Sequence, residues 1–485
     1  MFDMISFLII VVHAVLMAAV ILRVLLRRPA RGVALAWLLL ALMLPYVGAI
    51  LYFLIGERRI SPGRAERLAR IQNDFRKITA PHLAENRLQR GTPQLTAEQL
   101  PLERAGESLF GVPAFTGNRL TLGSDTLDIL TRIAADIDSA SVSVLVEFYI
   151  WAEGGITRSV LDALMRVSGR GVKCLVLIDA MGAGTWWRGP EPGMLRKAGV
   201  ELRAALPLGL LRGIAGRADL RLHRKIVVID GRVAWTGSMN MVDPRFFKKD
   251  SGVGEWVDAM VRVEGPAAGV LAAVVISDLV AEGGVTLEQV LAETRLAPTS
   301  ARGHVPVQVL ASGPGESGDG LLQIMLALIN GARREVVLTT PYFVPEDFLV
   351  TALRGAAARG VRVVVVLPRR IDSLMVRHAS RSFFDEVISA GGEIFEFDGG
   401  LLHTKSISVD GAQAMFGTAN FDMRSLWLNY EVSLVVYDEA FVADLRALQE
   451  IYIKASRAVM LVPWAERPVG ARLIESTMRL LTPLL

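Results

Sequence analysis

The chain has 485 residues, 52% hydrophobic and 21% charged, with a formal net charge of +4 at pH 7. That hydrophobic content excludes a disordered chain, and so small a net charge gives no electrostatic footprint for nucleic acid. The single cysteine, Cys174, excludes an internal disulfide and a cysteine-based zinc site.

Two uncharged apolar runs open the chain, at residues 4–22 and 33–55. A helix needs about 20 apolar residues to cross a bilayer core, so the runs predict a transmembrane helical hairpin. A cleaved signal peptide fits less well, because the start carries Asp3 rather than basic residues and a second apolar run follows. Pro45 and Gly48 are placed to kink the second run. Four arginines lie between the runs (Arg23, Arg27, Arg28, Arg31), against seven Lys and Arg in residues 58–77. That excess predicts that the N-terminus and the main body lie on the cytoplasmic side. The 58–77 stretch also contains two acids, and its surplus of basic residues suits anionic lipid headgroups. From residue 111 onward, short β-branched runs such as SVSVLVEFYIW and VRVVVVLP alternate with amphipathic stretches. This is the pattern of an α/β fold whose sheet is covered on both faces. The expected organisation is two transmembrane helices over 1–60, a basic helical connector over 61–110, one α/β unit over 111–285, a connection over 286–304 and a second unit over 305–485.

The two units repeat each other. SVSVLVEFYIW matches REVVLTTPYFV, RGVKCLVLI matches RGVRVVVVL, and HRKIVVIDGRVAWTGSMN matches HTKSISVDGAQAMFGTAN, in the same order. Each long motif reads His-x-Lys, four residues, Asp-Gly, then Gly-x-x-Asn: His223, Lys225, Asp230, Asn240 and His403, Lys405, Asp410, Asn420. Self-similarity in series signals a duplicated unit. In an extended segment residues i and i+2 share a face, so each His–Lys pair points into one pocket. Asp-Gly between two apolar runs predicts a tight hairpin. The two aspartates are thereby expected to hold the motif's geometry rather than transfer protons.

A neutral imidazole is a nucleophile or proton acceptor near pH 7. Lysine is a point-charge phosphate binder, and an asparagine amide is a neutral donor. Two copies about a pseudo-twofold axis provide a nucleophile and a facing acid/base around one phosphate. The expected chemistry is phosphoryl transfer through a phosphohistidine, with no metal and no cofactor. Each histidine also needs an acceptor to orient its other nitrogen. The candidates follow the motifs at the start of the next strand: Asp258, with Glu255 as its alternative, and Glu431.

The paired H-x-K-x(4)-D-x(6)-G-x-x-N motifs resemble those of the phospholipase D superfamily. The surrounding blocks DLRLHRKIVVIDG, DPRFFKKDSGVGEWVDAMVRVEGP, TPYFVPED, VRHASRSFF and SLWLNYEVSLVVYD resemble the bacterial cardiolipin synthases within it, across essentially the whole chain. The resemblance implies two related α/β units with mixed sheets flanked by helices, joined in a pseudo-twofold arrangement behind the membrane hairpin. It also implies transfer of a phosphatidyl group between two phosphatidylglycerol molecules, giving cardiolipin and glycerol in the bacterial inner membrane. His223, Lys225, Asp230, His403, Lys405 and Asp410 form the implied catalytic set, supported by Asn240, Asn420, Asp258 and Glu431. The superfamily's usual nucleophile is the N-terminal histidine, which points to His223. A hydrolytic phospholipase D and a non-catalytic lipid-binding scaffold are the alternative readings. Oligomeric state is not legible. The apolar segment 206–222, with its interspersed arginines, is expected to be either a membrane-facing flap or a packed loop.

Overall fold

The computed structural model describes residues 2–27, 31–44, 46–56, 63–68, 70–71, 95–207, 217, 219–296, 299–480 and 482. Most of the basic stretch 58–77, and 208–216 of the expected flap, lie outside the described residues. The chain divides into two compact units: Met1–Ala65 with Leu208–Leu220, and Glu66–Pro207 with Arg221–Leu485.

In the first unit a 26-residue helix, Phe2–Arg27, carries a span long and apolar enough to cross a membrane, Ser6–Arg27. The second apolar run departs from expectation. It is a 13-residue helix, Arg31–Met43, followed by a single turn at Val47–Leu51 and a π-helical turn at Tyr52–Gly56. Tyr46 takes a φ of 66° between them. The chain then folds back so closely that a Cβ on Gly48 would lie 2.4 Å from the Leu40 carbonyl oxygen. The run is long enough in residues, but it is not one straight helix. Among the described residues only the first helix has the length of a span.

The second unit is built on a sixteen-stranded sheet. The first repeat contributes β1 (Phe115–Gly123), β2 (Ser143–Phe148), β3 (Lys173–Asp179), β4 (Glu201–Ala205), β5 (Arg221–Leu222), β6 (Ile226–Ile229), β7 (Val233–Gly237), β8 (Trp256–Val257) and β9 (Met260–Glu264). The second contributes β10 (Val305–Ser312), β11 (Glu335–Thr339), β12 (Phe343–Val344), β13 (Arg362–Pro368), β14 (Glu393–Phe397), β15 (Leu401–Leu402), β16 (Ser406–Val409), β17 (Gln413–Gly417), β18 (Phe421–Asp422), β19 (Asn429–Val436) and β20 (Ser456–Ala458). At the centre, β1 and β10 pair antiparallel. Outward from them the order is β1-β9-β7-β6-β2-β3-β4 on one side and β10-β19-β17-β16-β11-β13-β14 on the other, with β20 at the edge. The sequence repeat is thus a pseudo-twofold repeat of topology.

Strands β2, β3 and β4 run parallel, as do β11, β13 and β14. Parallel neighbours need crossover helices, which cover the sheet and explain the near-continuous apolar strands. On one face the helices Pro266–Glu282 and Glu439–Lys454 share a single core that passes beneath both repeats, including Leu145, Leu271, Val337 and Leu445. On the opposite face each repeat has its own core. Helices Thr126–Asp138 and Thr157–Gly169 cover the first, and Gly320–Gly331 and Asp347–Ala358 the second. Each fully buried aliphatic side chain is worth about 1.5–3 kcal/mol, so the shared core binds the repeats firmly together.

Both connecting segments carry helices. Helix Leu100–Phe110 packs into the second repeat's outer core, where Gln308 donates to the Glu103 and Val112 carbonyls. Within 286–304, helix Leu287–Thr294 is closed by a Thr286/Gln289 capping box and buries Leu287 and Val290.

Candidate active site

Each motif histidine sits in the short extended segment before a sheet strand, His223 ahead of β6 and His403 ahead of β16. Two short parallel pairings place them. Strand β5 pairs with the start of β19, and β15 pairs with β8. The His223 N–H then donates to the Tyr430 carbonyl at 2.9 Å, and the His403 N–H to the Val257 carbonyl at 2.8 Å. The residue after each acceptor is a buried carboxylate. His223 Nδ1 lies 2.9 Å from both Glu431 oxygens, and His403 Nδ1 lies 2.6 Å from Asp258 Oδ1. Each carboxylate therefore serves the histidine of the other repeat, not that of the motif it follows in sequence. Glu255, the alternative, is exposed.

The carboxylates are held in turn. Ser238 Oγ donates to Asp258 at 2.6 Å, and Thr418 Oγ1 donates to Glu431 at 2.5 Å. These hydroxyls lie outside the expected site set, although they occupy matched places in GSMN and GTAN. Two rings outside that set flank the imidazoles. Tyr149 stands edge-on to His223 with centroids 5.0 Å apart, and Trp256 lies 4.5 Å from His403.

The lysines are equally matched. Lys225 Nζ donates to the His223 carbonyl and Lys405 Nζ to the His403 carbonyl, each at 2.6 Å. Both are buried. Asn240 accepts the Ile150 N–H through its side-chain oxygen, at 3.3 Å, which leaves the amide NH₂ as a donor. Asn420 Oδ1 is buried without a hydrogen-bond partner.

The aspartates stand elsewhere. Asp230 and Asp410 have φ of 53° and 54°, and Gly231 and Gly411 have φ of 66° and 69°. Two consecutive positive φ values are what a type I′ hairpin turn requires. Asp230 accepts the Ser141, Val142 and Ser143 N–H groups, and Asp410 accepts those of Arg333, Arg334 and Glu335. Both lock the hairpin onto the start of β2 or β11. Among the described residues no hydrogen bond joins either aspartate to a histidine, and each holds the geometry of its hairpin. In the segment VRHASRSFF, Arg381 is occupied by Glu396 and Glu475.

Burial pushes both histidines down to about 4, with Lys225 and Lys405 reinforcing the shift on each and the facing carboxylate opposing it. Each histidine feels both lysines, so the two motifs form one electrostatic site. Burial also lowers Lys225 to about 8 and takes Lys405 well below its ordinary value. Burial raises Glu431 and Asp258, but the facing histidine, the lysines and the hydroxyl donors outweigh it and hold both below their usual values. Near pH 7 the site holds two neutral imidazoles, each with Nδ1–H fixed on a carboxylate. Among the described residues no hydrogen bond engages Nε2 of either ring.

Two matched His–Lys–Asn sets on a duplicated sheet define a protein of the phospholipase D-like class. Comparison with known families agrees: the model described as "Cardiolipin synthase, PLD-like domain" matches residues 133–253 and 325–451, and a "Phospholipase_D-nuclease N-terminal" model matches 15–57. The chain belongs to the cardiolipin synthase family. It is 41% identical to cardiolipin synthase A of Edwardsiella ictaluri over 486 residues, and 41% identical to that of Erwinia tasmaniensis over 491. In both cases all of this chain and 99% of the relative are covered. The crystal structure of phosphatidylserine synthase from Haemophilus influenzae has the same fold, with a TM-score of 0.60 at 14% identity, covering 79% of this chain and 100% of that one.

Proposed function

We propose that the protein is a membrane-anchored phosphatidyltransferase that joins two phosphatidylglycerol molecules into cardiolipin and releases glycerol. The observation that carries this reading is the pair of neutral imidazoles, each with Nδ1 held by a buried carboxylate of the other repeat, beside two buried lysines. The carboxylates fix the Nδ1–H tautomer, so Nε2 carries the lone pair.

The first phosphatidylglycerol binds with its phosphodiester between Lys225 and Lys405. Its negative charge offsets the lysines' repulsion of a proton and raises the histidines, so one takes up a proton. His223 Nε2 then attacks phosphorus. The bond to the glycerol oxygen breaks, and that oxygen takes the proton from His403. Lys225, Lys405, Asn240 and Asn420 donate to the phosphoryl oxygens as charge builds on them. In the second half-reaction His403 removes the proton from the terminal hydroxyl of a second phosphatidylglycerol. That oxygen attacks phosphorus and the N–P bond breaks. Water in the second step would give phosphatidic acid instead, so the site must exclude it. The reading calls on no metal or cofactor, because the leaving group is met by a proton donor and the phosphate by cations of the chain itself.

The anchor is the N-terminal apolar segment. We further place both of its runs in the cytoplasmic membrane of a bacterium, with the catalytic body on the cytoplasmic face, from the balance of flanking arginines. The test is to supply radiolabelled phosphatidylglycerol in vesicles to the purified full chain and to its His223→Ala and His403→Ala variants. Cardiolipin and glycerol in equal amounts from the parent, and none from either variant, is the expected result. Phosphatidic acid without cardiolipin would make it a hydrolase, and full synthesis by either variant would overturn the mechanism.

A further inference from the structure

The C-terminal helix Val469–Leu480 is built inside out. Its acid, Glu475, is 2% exposed and receives Arg381 Nε at 3.1 Å and Arg467 Nη2 at 3.0 Å. Its aliphatic side chains face outward instead. Val469, Leu473 and Leu480 fall on one side of the helix, at i, i+4 and i+11, and are 68%, 63% and 81% exposed. An amphipathic helix on a soluble body turns its apolar stripe to the core. Here ion pairs hold the polar side inward, so the apolar stripe faces outward.

The neighbouring elements extend the feature. The turn before the helix exposes Met460 and Val462. Arg479 reaches Asp347, beside the exposed Phe348. The distribution is lopsided between the repeats. Among the described residues, two large hydrophobic side chains of the first repeat are exposed, Met181 and Phe246, against eleven from Phe348 to Leu480 in the second. Ile451 lies on the helix over the opposite face of the sheet, but the exposed side chains on and beside the C-terminal helix form an apolar patch, and such a patch marks an interaction surface.

We propose that this face of the second repeat lies on the lipid bilayer and docks the catalytic body there, separately from the N-terminal helix. Charge selects the occupant. With Glu475 buried, and Arg479 tied to Glu386 and Asp347, the charge that the helix leaves at the surface is the exposed Arg472. A cation bordering an aliphatic stripe suits a layer of phosphate headgroups over acyl chains. The same chain already carries a membrane-length apolar helix, so the body works beside a bilayer. The stripe would enter the headgroup boundary by about 5–10 Å, as interfacial helices do. The inference rests on the membrane reading above only for the identity of its occupant.

The test uses the full chain in vesicles of phosphatidylethanolamine and phosphatidylglycerol with brominated acyl chains. Cys174 is buried, and burial pushes its thiol up to about 12, so an environment-sensitive thiol dye reports on an introduced cysteine alone. Leu473→Cys and Arg132→Cys, the latter on an exposed position of the first repeat, are labelled in turn. The expected result is a blue-shifted emission at 473 that the brominated chains quench, with neither effect at 132. Vesicle flotation is scored on the same samples. A chain that floats while the 473 label is unquenched overturns the docking face and leaves the anchor standing. A chain that does not float overturns both. A blue shift at 473 that bromine does not quench, and that fades as protein is diluted in lipid, assigns the face to a second copy and overturns the proposal. Leu473→Lys together with Leu480→Lys, at exposed positions that folding does not need, should abolish the quenching of a dye placed at 474 in the Ile474→Cys background.

Discussion

Behind His223 the first repeat buries charges, and behind His403 the second buries neutral groups. Arg224, between His223 and Lys225, is wholly buried. It pairs with Asp278 and Glu316, and donates to the Glu431 carbonyl at 3.0 Å and the Ser312 carbonyl at 3.2 Å. Glu147 lies in the same cluster, and burial with the nearby Asp278 raises it well above its ordinary value. The second repeat has Thr404 in place of Arg224, with its hydroxyl 3.1 Å from that of Tyr452. In place of Glu147 it has Thr339, bonded to Ser406 at 2.6 Å. The catalytic groups have stayed matched while their support has diverged. Geometry at the phosphate is constrained from both sides, whereas support needs only satisfied hydrogen bonds, which either charged or neutral groups supply. The charged version also spans the duplication: Arg224 of the first repeat grips the backbone of the strand that carries Glu431 in the second.

Four experiments test how far the two repeats differ. The largest effect is expected at the matched groups. His223→Ala and His403→Ala should each lower the transfer rate by at least about 10²–10⁴-fold. Rapid-quench trapping should find a phosphatidyl-enzyme on one variant only, which names the nucleophile.

Glu431→Gln and Asp258→Asn come next, each expected to cost about 10²-fold through loss of the correct tautomer. The carboxylates cross between repeats, so imidazole resonances should show Glu431→Gln disturbing the titration of His223 and sparing that of His403. The reverse pattern would mean that each carboxylate serves its own motif.

The divergent support should separate by stability. Arg224→Met leaves buried carboxylates uncompensated and should cost about 3–5 kcal/mol. Thr404→Val removes one neutral hydrogen bond and should cost about 1 kcal/mol. Denaturant melts of the full chain in detergent read both. Equal losses would mean that the charged cluster is not a distinct support.

The smallest effect concerns pH. Lys225 is cationic below about 8 and loses its charge as pH rises through that value. Phosphate binding should therefore weaken above about 8. In the free enzyme both histidines are unprotonated above about 4, and the mechanism needs one of them protonated, so kcat/KM should already fall as pH rises above about 4 and fall more steeply above about 8. The kcat/KM profile reports these free-enzyme groups. Lys225→Arg should move the upper limb to higher pH.

Much of this molecule was legible before any fold was known. The duplication, the His–Lys–Asn sets, the Asp-Gly hairpins and the first apolar helix depend on spacings within a few residues or on one repeat period. Such local signals survive in a linear string. Asp258 and Glu431 were legible as candidates for the same reason. What the tertiary structure alone decided is their partnership. The β1–β10 junction sets the repeats head to head, and the short pairings β5–β19 and β15–β8 carry each carboxylate to the other repeat's histidine. Those contacts join residues 145 and 208 positions apart, and no periodicity encodes which copy pairs with which. The second apolar run failed for a related reason. Its composition suits a span, but a close backbone approach at Gly48, between Leu40 and the turn at Val47, is a three-dimensional event. The outward stripe of Val469–Leu480 belongs here too. Amphipathicity is written in the string, but which side faces the body was settled by where Arg381 and Arg467 await Glu475.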